Sequence, residues 1–141
     1  MADTSSLAES ILEQLADAVI YADEKGTIRR WNHAAAALFG YSAAEALGRN
    51  LDLIIPEHLR SAHWRGFETA MTKGVMKLQG RPTLTRATHQ SGRKLYVEMT
   101  FALVKDQGGA ARGAVAVARD VTERIEQQRA AARRESSEDR S

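Results

Sequence analysis

NHAAAALFGYSAAEALG, running from Asn32 to Gly48, holds the start and stop signals of two short helices in one uninterrupted stretch. Asn32 is a good N-cap, able to accept a hydrogen bond from a free amide of the alanine-rich helix that follows through Leu38. Gly40 can supply the left-handed C-cap, a conformation glycine enters without a Cβ penalty. Ser42 followed by Glu45 is a capping box, S-x-x-E, that opens the second helix before Gly48 ends it.

Toward the N-terminus, Ala18–Ala22 reads as a strand, Asp23-Glu24-Lys25-Gly26 as a tight turn and Thr27–Trp31 as a second strand, together a hairpin. Ahead of it Leu7, Ile11, Leu15 and Ala18 recur at helical spacing, with Thr4, Ser5 or Ser6 as N-cap. That apolar stripe has to be covered by something. Toward the C-terminus, Pro56 suits the first turn of a longer helix running to about Lys73, with Gly74 as its stop.

Beyond Gly74 the pattern shortens. Val75–Thr88 alternates imperfectly around Gly80-Arg81-Pro82, which predicts a strand bent or bulged near its start. Leu95, Val97, Met99, Phe101 and Leu103 give the clearest period-two strand, bounded by turns at Gln90–Gly92 and Asp106–Gly109, and Gly113–Ala118 forms the last strand. The fold class is α+β: a five-stranded antiparallel sheet with helices inserted between strands two and three. From Val121 the chain turns helical, with Val121, Ile125 and Ala132 on one side. Residues 133–141 have no apolar content and are expected to be disordered.

A chain of 141 residues, 43% hydrophobic and 27% charged, fits one soluble domain. Its apolar runs are too short for a membrane span, and its N-terminus lacks a secretory signal, so a cytoplasmic address without membrane contact is expected. The absence of cysteine excludes disulfides, thiolate metal sites and cysteine nucleophiles. The net charge of +2 is unevenly spread: residues 1–24 carry six acids and no Lys or Arg, whereas 60–94 carry eight basic residues against Glu68 alone. This is either a solvated surface with charge pairing across domains or subunits, or a basic rim for an anionic ligand group.

The 32–48 run, together with IIPEHLRSAH at 54–63 and ARDVTE at 118–123, resembles a PAS domain, and the resemblance covers roughly residues 7–126. It implies a sensory module that holds a small molecule or a partner in a cup and reports occupancy through its terminal helices. On that reading residues 1–17 are an N-terminal cap helix, 18–120 the core, 121–132 the signalling helix and 133–141 the tail. Asp120 and Thr122 match the D-x-T that precedes the exit helix and would relay the signal. Without cysteine, neither the flavin adduct of LOV domains nor the thioester chromophore of photoactive yellow proteins is open to the chain.

Within the family, His63 falls where heme-binding PAS domains of bacterial oxygen-sensing kinases and phosphodiesterases carry their proximal ligand, and the alignment with them is gapless from His63 to Gly92. The resemblance therefore implies heme b with His63 on the iron. A porphyrin needs an imidazole facing a wide, flat cavity. On a helix His63 shares its face with Gly66, Phe67, Ala70 and Gly74. Glycine inside a helix costs ~1 kcal/mol relative to alanine; either a planar ligand or close helix-on-sheet packing would explain Gly66. Ala114, Ala116 and Ala118 alternate with Val115 and Val117, so one face of the last strand is all methyl groups. Facing inward, it leaves the cup underfilled and ready for a guest; facing outward, it is a flat docking surface.

Met99, Phe101 and Ala116 match residues that surround heme in the family. Arg81 lies in the region of its distal arginine or methionine, although the gapless alignment puts Thr83 at that arginine's place. Gly66 and Thr69 stand where the kinases use tyrosine and arginine. His33, His58 and His89 show no metal-ligand spacing, and no motif for catalysis is present, so the chain is not expected to be an enzyme. Nucleic-acid binding lacks aromatic interleaving and a recognition helix.

Two functions compete. One is a ligand-binding sensor; the other is a cofactor-free module for protein interaction, with Leu7/Ile11/Leu15 and Val121/Ile125/Ala132 as association faces. A homodimer is expected under either. The effector, a kinase, a cyclase or phosphodiesterase, or a regulator of two-component or transcriptional type, is expected on another polypeptide or beyond this stretch.

Overall fold

The computed structural model describes residues 4–76 and 80–139. Helix α1 (Thr4–Gln14) leads into the hairpin β1 (Ala18–Asp23) and β2 (Ile28–Trp31). Asp23 builds the turn between them: its carboxylate accepts from the Lys25 and Thr27 amides and from the Arg29 guanidinium. Burial pushes the Asp23 carboxyl up, but these donors together outweigh it and hold the group below its ordinary value.

The 32–48 stretch folds as read. Helix α2 (His33–Phe39) is capped by Asn32, whose side chain accepts from the Ala35 amide, and by Gly40 at φ 83°. Helix α3 (Ala43–Ala46) has both hydrogen bonds of the Ser42–Glu45 capping box. The structure adds a 3-10 turn over Leu51–Leu53, capped by Asn50. The long helix begins later than expected. Pro56 precedes a 3-10 turn, Glu57–Leu59, and α4 (Arg60–Lys73) follows, ending on left-handed Gly74.

The strand expected over Val75–Thr88 begins only after Pro82, as β3 (Thr83–Thr88); residues 77–79 lie outside the described residues. Proline has no amide to give a ladder, which sets that start. β4 (Lys94–Lys105) and β5 (Ala111–Asp120) complete one antiparallel sheet in the order β2-β1-β5-β4-β3. Helix α5 (Thr122–Asp139) passes the expected end at 132 and turns most of the expected disordered tail into helix. Ala131, Ala132, Arg133, Arg134 and Glu135 are all good helix formers, and no glycine or proline interrupts them.

Period-two burial gives the sheet one inner face. Leu95, Val97 and Met99 of β4, Ala87 of β3, Ala18 and Ile20 of β1 and Ala118 of β5 join Trp31, Phe39, Ala46 and Ile54 in one core. Trp31 and Phe39 meet at 5.4 Å between ring centroids, and the indole N–H of Trp31 donates to the Tyr41 carbonyl at 2.9 Å. The dense packing lies where α2 and α3 cover the sheet. Further along the same face the covering helix is α4, and the packing opens.

Candidate functional site

Beneath α4 lies a cavity of about 670 Å³. Its floor is the sheet: Ile20 and Ala22 of β1, Met99 and Phe101 of β4, and Ala114 and Ala116 of β5. The register explains why they converge, since Ala116 stands between Ile20 and Phe101 as their direct cross-strand neighbour. The methyl face of β5 thus points inward. Ala118 belongs to the packed core, whereas Ala116 and Ala114 lie where no large side chain fills the space.

The roof is α4, whose Ala62, His63, Gly66, Phe67 and Ala70 all line the cavity. A Cβ on Gly66 would meet nothing within 4 Å, so close packing on the sheet does not account for that glycine. The helix is fixed by a residue to which the sequence reading gave no role. The Trp64 indole lies over the turn at Gly26, where any Cβ would run into the ring, and its N–H donates to Asp52 Oδ1 at 2.7 Å. Arg60 adds a hydrogen bond to the Ile55 carbonyl at 3.1 Å.

His63 stacks on Phe67 at 6.0 Å and meets Trp64 edge-on at 4.7 Å. Its Nδ1 is buried without a hydrogen-bond partner. Burial drives the imidazole pKa down, opposed by the nearby Asp52 carboxylate, so the ring is held neutral at neutral pH. A neutral imidazole with an unpartnered nitrogen is the form that ligates metal, and an orphaned buried nitrogen costs about 1–3 kcal/mol. These features fit an axial histidine.

Of the residues singled out from the sequence, the cavity brings together His63, Gly66, Phe67, Ala70, Met99, Phe101 and Ala116. Arg81 is not among them. It is exposed in the turn before β3, where its carbonyl accepts from the Thr83 hydroxyl at 3.3 Å. The residues present therefore do not fit an oxygen site assisted by Arg81. Among the described residues no group of three or more His, Asp or Glu could hold a metal ion by itself, and no helix is long and apolar enough to cross a membrane.

Asp120 and Thr122 sit at the joint between sheet and exit helix. The Asp120 carboxylate accepts from the Thr122 amide at 2.9 Å, and the Val121 amide donates to the Tyr96 carbonyl at 2.9 Å. Ile125 is buried, whereas Ala132 is exposed, so the face Val121/Ile125/Ala132 is divided between the domain's own packing and its surface. Leu7 and Ile11 on α1 and Leu15 just after it remain 58%, 53% and 44% exposed.

Comparison with known proteins agrees with this architecture. The chain is 26% identical over 112 residues, 77% of its length, to the oxygen sensor protein DosP of Escherichia coli. It is 44% identical over 54 residues, 38% of its length, to the sensor protein FixL of Bradyrhizobium diazoefficiens. It spans 14% and 11% of the length of those two relatives. Among solved structures, the PAS domain of a Colwellia psychrerythraea protein superposes with a TM-score of 0.73 at 20% identity, covering 86% of this chain and 99% of that one. The family model described as PAS fold matches residues 7–121, and the chain belongs to that family, the PAS sensory domains of signalling proteins.

Proposed function

We propose that this domain senses a flat, largely apolar small molecule held between α4 and the sheet, with heme b as the specific candidate and His63 as its axial ligand. The observation that carries the proposal is the alanine-floored cavity with an unpartnered imidazole on its wall. Gly66 and Ala70 give a planar ring room beside His63, and Met99, Phe101 and Ala116 close the opposite side. Heme bound there would supply an iron whose remaining position takes a diatomic gas or changes redox state. Signalling further requires that the ligand bind two conformations with unequal affinity, because equal affinity shifts nothing. Asp120, Thr122 and α5 provide the route out, toward a kinase, a cyclase or phosphodiesterase, or a regulator.

Absorbance of the purified protein, as isolated and after adding hemin, tests the proposal. A Soret band that shifts with carbon monoxide and is lost in His63→Ala is the expected result. Weak hemin association that His63→Ala leaves unchanged would remove heme from the proposal.

A second reading, association through the terminal helices, is favoured by the exposed Leu7, Ile11 and Leu15. Beside them runs an open groove lined by Leu15, Ala34, Ala37 and Leu38, and a second copy of the chain is the occupant proposed. The two readings are compatible in one homodimeric sensor.

A further inference from the structure

Two arginines share the Tyr96 ring. Arg86 of β3 is the direct cross-strand partner of Tyr96, so both side chains stand on the outer face of the sheet, and its Cζ lies 5.5 Å from the ring centroid. Arg129 of α5 reaches the same ring at 4.8 Å. Both distances fall within the roughly 6 Å reach of a cation–π contact. Among the described residues neither arginine forms an ion pair with a carboxylate, so nothing offsets the repulsion between two like charges at one buried ring. Arg86 bears a further cost, because its Nε is buried with no hydrogen-bond acceptor. A desolvated guanidinium N–H left unbonded is unfavourable, and a swing of the side chain out to water would satisfy it.

The strand that carries Arg86 serves the cavity with its other face. Thr85 and Ala87, on either side of Arg86 in sequence, line the cavity beneath α4, whereas the Arg86 guanidinium lies with Tyr96 on the opposite side. β3 is an edge strand bonded to β4 alone. A guest bearing on Thr85 and Ala87 therefore works against a single ladder when it displaces the strand.

We propose that Arg86 regulates the exit helix: it competes with Arg129 for the Tyr96 ring, and a guest that shifts β3 changes the outcome of that competition. In one arrangement Arg86 is seated on the ring beside Arg129 with its Nε unbonded. In the other it is withdrawn into water, which leaves the ring to Arg129 and holds α5 more tightly. A ligand that favours either arrangement shifts the fraction of helix that is docked. The competition stands on the contacts alone, and its control from the cavity rests on the ligand-sensing reading above.

Amide hydrogen exchange in residues 126–139 of the full chain tests the competition without a ligand. Arg86→Gln removes the rival cation and is expected to slow exchange there about threefold, the scale of one exposed cation–π contact, whereas Arg86→Lys, which keeps a cation, should stay near the parent. An arginine that merely buttressed Tyr96 would act in the opposite sense, so unchanged or faster exchange in Arg86→Gln overturns the proposal. Arg86→Leu, likewise uncharged, takes its place if Arg86→Gln fails to fold. The same measurement at saturation with the neutral apolar dye N-phenyl-1-naphthylamine, its binding followed by fluorescence, tests the control from the cavity. The dye should change exchange in residues 126–139 of the parent and lose most of that change in Arg86→Gln, with its affinity unaltered. A bound dye that leaves the parent's exchange as it was, or an effect undiminished in Arg86→Gln, overturns that control and leaves the cavity reading standing. Failure of the dye to bind overturns the cavity reading and the control with it, and the ligand-free comparison then decides the competition alone.

Discussion

The Thr122 hydroxyl bonds Tyr96 in both directions, accepting from its amide at 2.9 Å and donating to its carbonyl at 3.3 Å. Thr122 is buried, and the β4–β5 pairing ends at Val97 and Asp120, so this hydroxyl serves backbone groups of Tyr96 just past the end of the ladder. Thr122→Val keeps the shape and removes both bonds, leaving the Tyr96 amide short of a partner, while the Tyr96 carbonyl keeps its bond from the Val121 amide. A loss of about 1–3 kcal/mol in a denaturant titration is expected, with Thr122→Ser close to the parent. A Thr122→Val variant as stable as the parent would remove the joint from consideration as a structural element.

The same tyrosine holds the exit helix by its ring. Arg129 Cζ lies 4.8 Å from the Tyr96 centroid, and Ile125, one turn earlier in α5, is buried. Tyr96→Leu and Arg129→Gln should therefore raise amide hydrogen exchange in residues 126–139, whereas Tyr96→Phe, which keeps a π-face, should not. Unaltered exchange in both disruptive variants would mean that the cation and ring do not anchor the helix.

His63 predicts a pH dependence of stability with a definite sign. Burial lowers its pKa in the folded state below the ordinary 6.5, so the unfolded chain takes up a proton first as pH falls. The contribution of His63 to stability is present above pH 6.5, starts to be lost as pH falls through that value, and stops changing below the folded-state pKa. Denaturant midpoints at pH 7.5 and pH 5.5 should differ less in His63→Gln than in the parent. An identical difference in both would show that the histidine is not desolvated.

Ala116→Leu tests the cavity by filling it. Its three added carbons would enter space bounded by Ile20 and Phe101 and gain burial worth about 2 kcal/mol. The expected result is a higher thermal midpoint together with weakened binding of any apolar probe. A marked fall in the midpoint would indicate that the wall is already tight there.

Gly113→Ala should be far less tolerated, despite lying one residue from Ala114. A Cβ at Gly113 would collide with the Ala22 carbonyl and crowd the Tyr21 ring and hydroxyl. Since the first clash is with backbone, it cannot be relieved by a rotamer change. A destabilisation of about 1–3 kcal/mol is expected in thermal or chemical unfolding.

The elements legible in the sequence were those governed by neighbouring residues: the Asn32 and Gly40 caps, the Ser42–Glu45 box, and the period-two run from Leu95 to Leu103. The features that local spacing does not reveal depend on residues far apart in the chain. Asn32 was read as a cap, yet its side chain also accepts from the Val19 amide and donates to the Leu12 and Asp17 carbonyls, tying α1, β1 and α2 together. The available hint is its amide, whose oxygen can accept from two amides while its nitrogen donates two further hydrogen bonds. The 3-10 turn over Leu51–Leu53 is too short to carry a period. Trp64 gave no signal because Gly26 and Asp52, the groups that explain it, approach it only in the folded domain.

The cavity was partly legible for the same reason. Alternating alanines and a histidine face with glycine can be counted along the chain, and both faces turn inward. Arg81 could not be placed by that means, since the direction of a turn following Gly80 depends on backbone angles rather than on residue spacing.

The sheet order has a further consequence. The central strand, β5, is also the last to leave the ribosome, and it alone joins β1 to β4. Until residues 111–120 emerge, the nascent polypeptide holds two separate ribbons with open edges, and closing them brings together segments distant in the chain, a slow kind of folding. The helix that follows, α5, is thus attached directly to the strand that completes the sheet.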